Sequence, residues 1–237
     1  MKKAVFTLCI GDFYRDLSAF THPPIKEYAR RIGADLIVTT DTELNPVQYA
    51  KFGIRVLLEK YDRVLYLDSD ILVRPTAPDI FEVVPEDRIG LLDESPLGYH
   101  EKFDLFLSQH GPALLPAWRR HKKCYNAGVM VCSKRHRDIF QLPKALYDHY
   151  FEQSYFNMRL LQERVPVFDL PPQFNRMIYL DLVLNEHRLR SHFIHYAGFL
   201  ENRPVEECLD FLRKEYQMLL SQDFSRDEVN ICWAFQD

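Results

Sequence analysis

Three strand-like apolar runs alternate with two helical patterns at the start of the chain, and this alternation constrains the fold more than any other feature of the sequence. The runs are AVFTLCI (4–10), ADLIVTT (34–40) and RVLYLD (63–68), and the helical patterns cover 17–32 and 47–60. Such a βαβαβ succession predicts a parallel sheet covered by helices on both faces. Ligands of such sheets bind beyond the carboxyl ends of the strands, where Asp12, Thr39, Thr40 and Asp68 lie.

The rest of the chain continues this α/β pattern. Further strands are expected at 88–93, 127–133 and 191–198, and further helices at 137–149, 152–164 and 205–220. Prolines interrupt the middle of the chain, so 95–123 is expected to be irregular. We therefore expect one domain over 1–222, followed by a carboxyl-terminal tail at 223–237.

Composition narrows the classes of partner. The chain has 237 residues, of which 47% are apolar, and this is enough for a substantial core. Acids and bases are interspersed, and the formal net charge of −4 provides no positive field for nonspecific binding to nucleic acid. No stretch approaches the ~18 consecutive apolar residues of a membrane span, so no integral membrane association is expected.

The cysteines and the amino-terminal residues bear on location. Five scattered cysteines, an odd number without a CxxC pair, favour neither a disulfide framework nor a thiolate zinc site. A reducing, cytoplasmic compartment is the expectation. The opening MKKAVFTLCIGDF has two lysines and a short apolar run but lacks the small-residue cleavage site of a signal peptide. We interpret it as the first buried strand.

The stretch VLYLDSDILV (64–73) carries two acids one residue apart. Side chains two apart on an extended segment point the same way, so Asp68 and Asp70 can face one ligand while Ser69 faces elsewhere. Two adjacent anions need a cation, and carboxylate oxygens suit Mg²⁺ or Mn²⁺ bound together with substrate phosphates. The alternative is that Asp68 ends the strand and Asp70 begins a turn.

The same stretch also resembles the nucleophile motif of haloacid-dehalogenase-type phosphatases. Ser133, after VMVC, and GDFYRD (11–16) resemble that family's other motifs. The acidic motif should follow the nucleophile motif, whereas here it precedes it. This hypothesis therefore requires a circular permutation.

Five motifs in order indicate another family. They are KFGIRVLLEKYDRVLYLDSDILV, YNAGVMV (125–131), YFEQSYFN (150–157), PPQFNRM (171–177) and HFIHYAG (192–198). Together they resemble the GT-A fold glycosyltransferases, in particular the family 8 group that includes glycogenin-like enzymes and lipopolysaccharide galactosyltransferases. The resemblance covers about residues 3–203. It implies a Rossmann-like, mixed but mainly parallel sheet with helices on both faces in a single domain.

The resemblance implies a metal site and its neighbours. In that family the two aspartates, here Asp68 and Asp70, and the histidine of an HxxG motif, here His195, bind Mn²⁺ that bridges the diphosphate of a nucleotide sugar. Gly198 would let the backbone approach the phosphates. Where the family commonly has Lys-Pro-Trp this chain has FLENRP, so Arg203 is the candidate replacement. The alternative for Arg203 is a surface arginine.

The resemblance also implies donor-binding residues. Lys51 would reach the donor sugar or phosphate, Asn126 would hydrogen-bond the sugar, and Asp93 would contact the sugar hydroxyls. Lys51 could instead be a solvated helix lysine, and Asp93 a turn residue. The remaining donor-binding candidates, located near the nucleotide, are Thr7, Asp12, Tyr14 and Ser69.

Glu152 and Gln153 stand where family members usually have Asp-Gln. An acid and an amide beside the anomeric carbon can stabilise the positive charge of an oxocarbenium-like transition state. Glutamate keeps the charge and adds a methylene, a change of the size that matters to positioning. The alternative, compatible with the first, is that Glu152 complements a helix dipole.

These observations predict a metal-dependent glycosyltransferase, with Mn²⁺ or Mg²⁺, that moves a hexose from a UDP-sugar to a hydroxyl acceptor such as a glycan with retention of configuration. Three alternatives remain: an inverting transferase with Glu152, Asp93 or Asp169 as base, a permuted phosphatase, and a non-catalytic nucleotide-sugar-binding module. The segment 95–123 is expected to be an acceptor wall or a solvated loop.

Overall fold

The structure, a computed structural model, describes residues 1–98, 100–148, 152–182, 184, 186–198 and 203–221. The tail expected at 223–237 lies outside the described residues. Within the described part, the strands are β1 Lys3–Leu8, β2 Ala34–Thr39, β3 Arg63–Leu67, β4 Ile71–Val73, β5 Ile89–Leu91, β6 Val129–Ser133, β7 Val167–Asp169, β8 Arg176–Met177 and β9 Phe193–His195. The helices are α1 Asp12–Arg31, α2 Ile54–Lys60, α3 Ile80–Val83, α4 His100–His110, α5 Leu115–His121, α6 Glu152–Gln162 and α7 Val205–Ser221.

The large sheet has six strands in the order β2-β1-β3-β6-β5-β7. β2, β1 and β3 are parallel, β6 is antiparallel to both of its neighbours, and β7 is parallel to β5. The first three strands are therefore the βαβαβ unit that the apolar runs predict. A right-handed unit of this kind brings the ends of β1 and β3 to one edge of the sheet, which is the edge that carries the site described below.

Helices cover both faces of this sheet, as expected. Side chains alternate along β1, so Val5 packs with α1 and α3 on one face, while Phe6 packs with α2, α4 and α6 on the other. Both residues are almost completely buried. Within the described ranges, no helix is long and apolar enough to cross a membrane.

A second, three-stranded sheet in the order β4-β9-β8 holds the metal-ligand candidates together. β9 is antiparallel to β4, and the register pairs Ile71 with His195. The histidine therefore lies next to the two aspartates, which are far from it in sequence. Leu212 and Leu219 of α7 pack with Ile194 of β9 and so cover this sheet from outside.

The structure corrects two expectations for the middle of the chain. The segment 95–123, expected to be irregular, contains α4 and α5. Pro112 and Pro116 stand in the first turn of short helical segments, where proline is tolerated, rather than in helix interiors. The helix expected at 137–149 is a 3₁₀ segment, Lys134–Phe140, followed by irregular chain as far as the described residues extend.

Candidate active site

The two aspartates follow β3 at the predicted edge of the sheet. The backbone N–H of Asp68 donates to the carbonyl oxygen of Gly128 (2.8 Å), which fixes the start of the turn between β3 and β4. The hydroxyl of Ser69, between the aspartates, donates to the Leu8 carbonyl oxygen. Ser69 thus anchors the turn to the end of β1. The carboxylates of Asp68 and Asp70 line one cleft, although the two residues lie in a turn and not on the extended segment that was expected.

His195 completes a group of three candidate metal-ligand side chains. Its Nε2 lies 3.4 Å from Asp70 Oδ1 and 3.8 Å from Asp68 Oδ2, and the three ligand atoms lie within 4.8 Å of one another. Burial lowers the pKa of His195, but the carboxylates of Asp70 and Asp68 outweigh this and raise it above its ordinary value. Two carboxylates and an imidazole are a donor set that fits Mn²⁺ or Mg²⁺.

Gly128 leaves room for this arrangement. A Cβ at this position would collide with the ring of His195 and with Asp68 Oδ2. The glycine of the YNAG motif is therefore required because the metal-ligand side chains occupy the space that a larger residue would fill.

Lys51 and Glu152 form a buried ion pair beside the aspartates. Lys51 Nζ lies 2.8 Å from Glu152 Oε1 and 3.7 Å from Asp68 Oδ1, and Lys51 is only 5% exposed. Burial lowers the pKa of Lys51, but the carboxylates of Asp68 and Glu152 raise it above its ordinary value overall. Lys51 is thus a buried cation of the cleft, not the solvated helix lysine that the sequence left open.

Glu94 is a further buried acid of the site, and it was not among the candidates expected from the sequence. Its carboxylate accepts from Gln153 Nε2 and from Asn126 Nδ2 (3.1 Å), and the residue is 2% exposed. Burial raises its pKa to about 7. Asp93, the acid chosen from sequence, instead accepts backbone N–H groups of Ser95 (3.1 Å) and Cys124 (3.4 Å) in a turn.

The different placement of Asp93 and Glu94 has a simple cause, and for Asp93 it matches the turn position that the sequence left open. The strand β5 ends at Leu91, two residues before Asp93, and the chain then turns. Alternation along a strand no longer determines direction there, and two adjacent acids cannot be told apart by pattern alone.

Asn126 and Asn175 connect the two halves of the site. His195 Nδ1 lies 2.8 Å from Asn175 Oδ1, and Asn175 Nδ2 donates to Asn126 Oδ1 (2.9 Å). The Asn126 oxygen also accepts the backbone N–H of Gly128 (2.9 Å). Asn175 is fully buried. It belongs to the PPQFNRM motif but was not a candidate site residue from sequence.

The cleft has two compartments separated by Asn126, Glu152 and Gln153. One, of about 230 Å³, is lined by the metal-ligand side chains, Lys51 and Tyr14. The other, of about 250 Å³, is lined by residues that include Glu94, Lys102 and Tyr179. Two adjoining compartments can hold two ligands on opposite sides of the acid and amide of the YFEQ motif.

The remaining candidates divide into two groups. Gly198, at a positive φ of 68°, lines both compartments. Thr7 is buried within β1, Asp12 is exposed and forms an ion pair with Arg15, and Arg203 lines neither compartment. The structure therefore brings Asp68, Asp70, His195, Lys51, Asn126 and Gly198 together in the cleft, but Thr7, Asp12, Asp93 and Arg203 do not line it.

Comparisons with known proteins agree with the fold. The model of glycosyl transferase family 8 matches residues 21–199. A comparison with curated proteins finds no match.

Solved structures of glycosyltransferases share the fold at low identity. One, involved in the glycosylation of the major capsid of PBCV-1, is 15% identical with a TM-score of 0.56, over 88% of this chain and 99% of the other. The galactosyltransferase LgtC, solved with donor and acceptor sugar analogs, is 12% identical with a TM-score of 0.51, over 90% of this chain and 95% of LgtC. The bifunctional WbbM is 15% identical with a TM-score of 0.57; 93% of this chain is covered, but only 51% of WbbM.

Proposed function

This chain belongs to glycosyltransferase family 8, whose model matches most of it, and we propose from that premise that it transfers a hexose from a UDP-sugar to a hydroxyl acceptor with a divalent cation. The observation that carries the proposal is the convergence of Asp68, Asp70 and His195 in a cleft opposite Glu152 and Gln153. The phosphatase alternative is wrong, because the family match and the fold are those of glycosyltransferases.

The metal compartment is proposed to bind the nucleotide diphosphate. Asp68, Asp70 and His195 would hold Mn²⁺ or Mg²⁺, which when bound supplies Lewis-acid stabilisation of the leaving diphosphate. Lys51, buried and positively charged, adds a fixed cation on the same side. Tyr14 is one of two tyrosines that line this compartment, with Tyr66, and is the candidate for contact with the nucleobase.

Glu152 and Gln153 are proposed to face the anomeric carbon. Gln153 Oε1 accepts the backbone N–H of Ala127 (2.9 Å), and its amide nitrogen donates to Glu94, so its orientation is fixed from both ends. A fixed dipole costs no reorganisation when positive charge develops on the sugar. Glu152 is held by Lys51, which favours a charge-stabilising role over that of a free base.

Retention is the proposed stereochemical outcome. The bases that inversion would need are each engaged elsewhere: Glu152 by Lys51, Asp93 by its turn, and Asp169, at the surface, by Lys123 (2.6 Å). Glu94 supports the second candidate, inversion, because it lines the compartment opposite the metal and its pKa is about 7. Proton NMR of the first-formed product decides between them by the anomeric configuration of the transferred sugar.

A thermal-shift screen of nucleotide sugars with Mn²⁺ tests the donor class. A ligand at 100 times its Kd adds about 2.7 kcal/mol of stability, which for a chain of this size raises Tm by roughly 5–10 °C. Stabilisation by a UDP-sugar only with Mn²⁺, and donor turnover abolished by EDTA, are the expected results. Full turnover in EDTA contradicts the metal, and binding without any turnover favours the non-catalytic module.

A further inference from the structure

Asn175 is an amide buried among residues of the site. It lies one residue before β8, whose neighbour in the small sheet is β9, with Met177 paired to His195. The residue has no exposed surface, and its side chain contacts His195 on one side and Asn126 on the other. Burial of an amide costs free energy unless its oxygen and its NH₂ group are both hydrogen-bonded. The two partners of the Asn175 side chain therefore indicate what this residue does in the site.

The direction of this hydrogen-bond chain is fixed by a backbone group. The N–H of Gly128 can only donate, so the Asn126 atom that it meets at 2.9 Å must be the oxygen. That oxygen faces Asn175, which must therefore present its NH₂ group to Asn126 (2.9 Å). The Nδ2 of Asn126 points the other way, to the Glu94 carboxylate at 3.1 Å, which confirms the same orientation.

The same logic continues to the histidine. With its NH₂ group committed to Asn126, Asn175 has only its oxygen for His195 Nδ1, 2.8 Å away. Nδ1 must then carry the hydrogen. In the neutral imidazole the lone pair lies on Nε2, the atom that faces Asp70 and Asp68.

We propose that Asn175 is a positioning residue that holds His195 as the Nδ1–H tautomer, with Nε2 presented to the cation, along a hydrogen-bond chain that begins at the Gly128 N–H. Partners of metal-ligating histidines act in this way in many metal sites, and their loss typically weakens metal binding about 10–100-fold. This proposal depends on one part of the proposed function, the binding of a cation, and does not depend on sugar transfer.

The hydrogen-bond chain also gives Asn126 a second role. Its oxygen accepts two hydrogen bonds and its nitrogen donates to Glu94, which in turn accepts from Gln153. The histidine of the metal site and the glutamine of the sugar site are thus the ends of one continuous network. A change at Asn175 is expected to reach both.

The first test needs no metal and no substrate. Metal-free full-length protein labelled with ¹⁵N at histidine is examined by NMR at a pH where the imidazoles are neutral, and the His195 signals are identified by their loss in His195→Gln. The expected result is the Nδ1–H tautomer in the wild type and a mixture in Asn175→Ala. An Nε2–H tautomer in the wild type overturns the proposal whether or not the chain transfers sugar.

The second test separates positioning from packing. Mn²⁺ affinity is measured by calorimetry for the wild type, Asn175→Ala and Asn175→Asp. Alanine removes the acceptor for His195 and should weaken Mn²⁺ binding about 10–100-fold. Aspartate keeps that acceptor but loses the donor to the Asn126 oxygen, so it should weaken Mn²⁺ binding less than alanine does. A packing role predicts the reverse order, because aspartate buries a charge.

Asn157 provides the matched control. It is also buried, at 2% exposure, and it makes three hydrogen bonds, to the backbone of Tyr125 and Gln153. Asn157→Ala should therefore destabilise the fold at least as much as Asn175→Ala, yet leave Mn²⁺ affinity unchanged. Equal weakening in both variants, or wild-type affinity in a folded Asn175→Ala protein, overturns the proposal. If the wild type binds no Mn²⁺, the cation dependence of the proposed function is contradicted. The NMR result alone then decides the role of Asn175.

Discussion

Two clusters of largely buried charge adjoin each other at the end of β9, and they differ in charge balance. The cleft cluster consists of Lys51, Asp68, Asp70, Glu152 and His195. The α7 cluster consists of Arg176, Asp181, Arg188, Tyr196 and Glu215. His195 and Tyr196 are consecutive in sequence, so one short stretch of chain supplies a member to each cluster.

The α7 cluster is balanced internally. Arg188 pairs with Glu215 through two contacts (3.1 and 2.5 Å) and with Asp181 through a third (2.5 Å), and the hydroxyl of Tyr196 donates to Glu215. Burial lowers the pKa of Arg188, but the Glu215 carboxylate raises it overall. Two guanidinium groups face two carboxylates, which leaves no electrostatic need for a ligand.

The cleft cluster is unbalanced. Three carboxylates share one lysine and one imidazole. Burial, followed by the charge of Asp70, raises the pKa of Asp68 above its ordinary value. A bound cation would relieve this repulsion. Buried charges that are paired with opposite charges thus stabilise the fold, whereas buried carboxylates without enough positive partners form a site for a cationic ligand.

Removal of one acid from the cleft cluster should have the largest effect on activity. Asp70→Asn takes away a cation ligand, and the lost charge stabilisation, about 4 kcal/mol, lowers kcat/KM roughly a thousandfold. Because the change also removes a repulsion, Tm of the metal-free protein should not fall. Asp138→Asn, at an exposed acid paired with Arg55, is the control for turnover assays. Retained turnover in Asp70→Asn contradicts the metal assignment.

The same kind of change in the α7 cluster should act on stability instead. Glu215→Gln leaves Arg188 partly uncompensated, which costs about 3–5 kcal/mol, or roughly 6–20 °C in Tm for a chain of this size. Glu206→Gln, at an exposed position in the first turn of the same helix, should change Tm little. Calorimetric melting curves measure both, and a Tm unchanged in Glu215→Gln would refute the contrast between the clusters.

Glu94, a buried acid without a positively charged hydrogen-bond partner among the described residues, should make the free energy of unfolding depend on pH. Its pKa is about 7 in the folded state against 4.5 as its ordinary value, so from pH 4.5 to 7 the unfolded chain releases a proton that the folded protein keeps. Stability therefore falls as pH rises through this window. The full cost above pH 7 is about 3 kcal/mol.

Urea unfolding of the wild type and Glu94→Gln measures this cost. The free energy of unfolding of the variant, relative to the wild type, should increase by about 3 kcal/mol between pH 4.5 and pH 8. The hydrogen bonds to Gln153 and Asn126 change equally at every pH, so only the slope reports the charge. Parallel pH curves would show that Glu94 does not titrate in this range.

Much of this organisation follows from sequence. The alternating runs predict the sheet, and the acids Asp68 and Asp70 after the third run predict a site at its carboxyl end. Glu94 and Asn175 were missed because each lies in a turn next to a short strand, where periodicity gives no direction. Their roles arise from long-range hydrogen bonds, to Gln153 and to His195, that only the folded chain brings together.

The smallest change in Tm is expected for an arginine–carboxylate pair of similar geometry that is exposed to solvent. Arg119 contacts Asp104 through two hydrogen bonds (2.8 and 2.9 Å), as Arg188 contacts Glu215, but the side chains are 55% and 33% exposed. Solvent and salt screen such a pair. Asp104→Asn should therefore change Tm by about 2 °C or less, and 1 M NaCl should reduce the difference further. If Asp104→Asn lowers Tm as much as Glu215→Gln does, the paired geometry alone stabilises the fold. A small fall in Tm means that burial accounts for the larger effect of the Arg188–Glu215 pair.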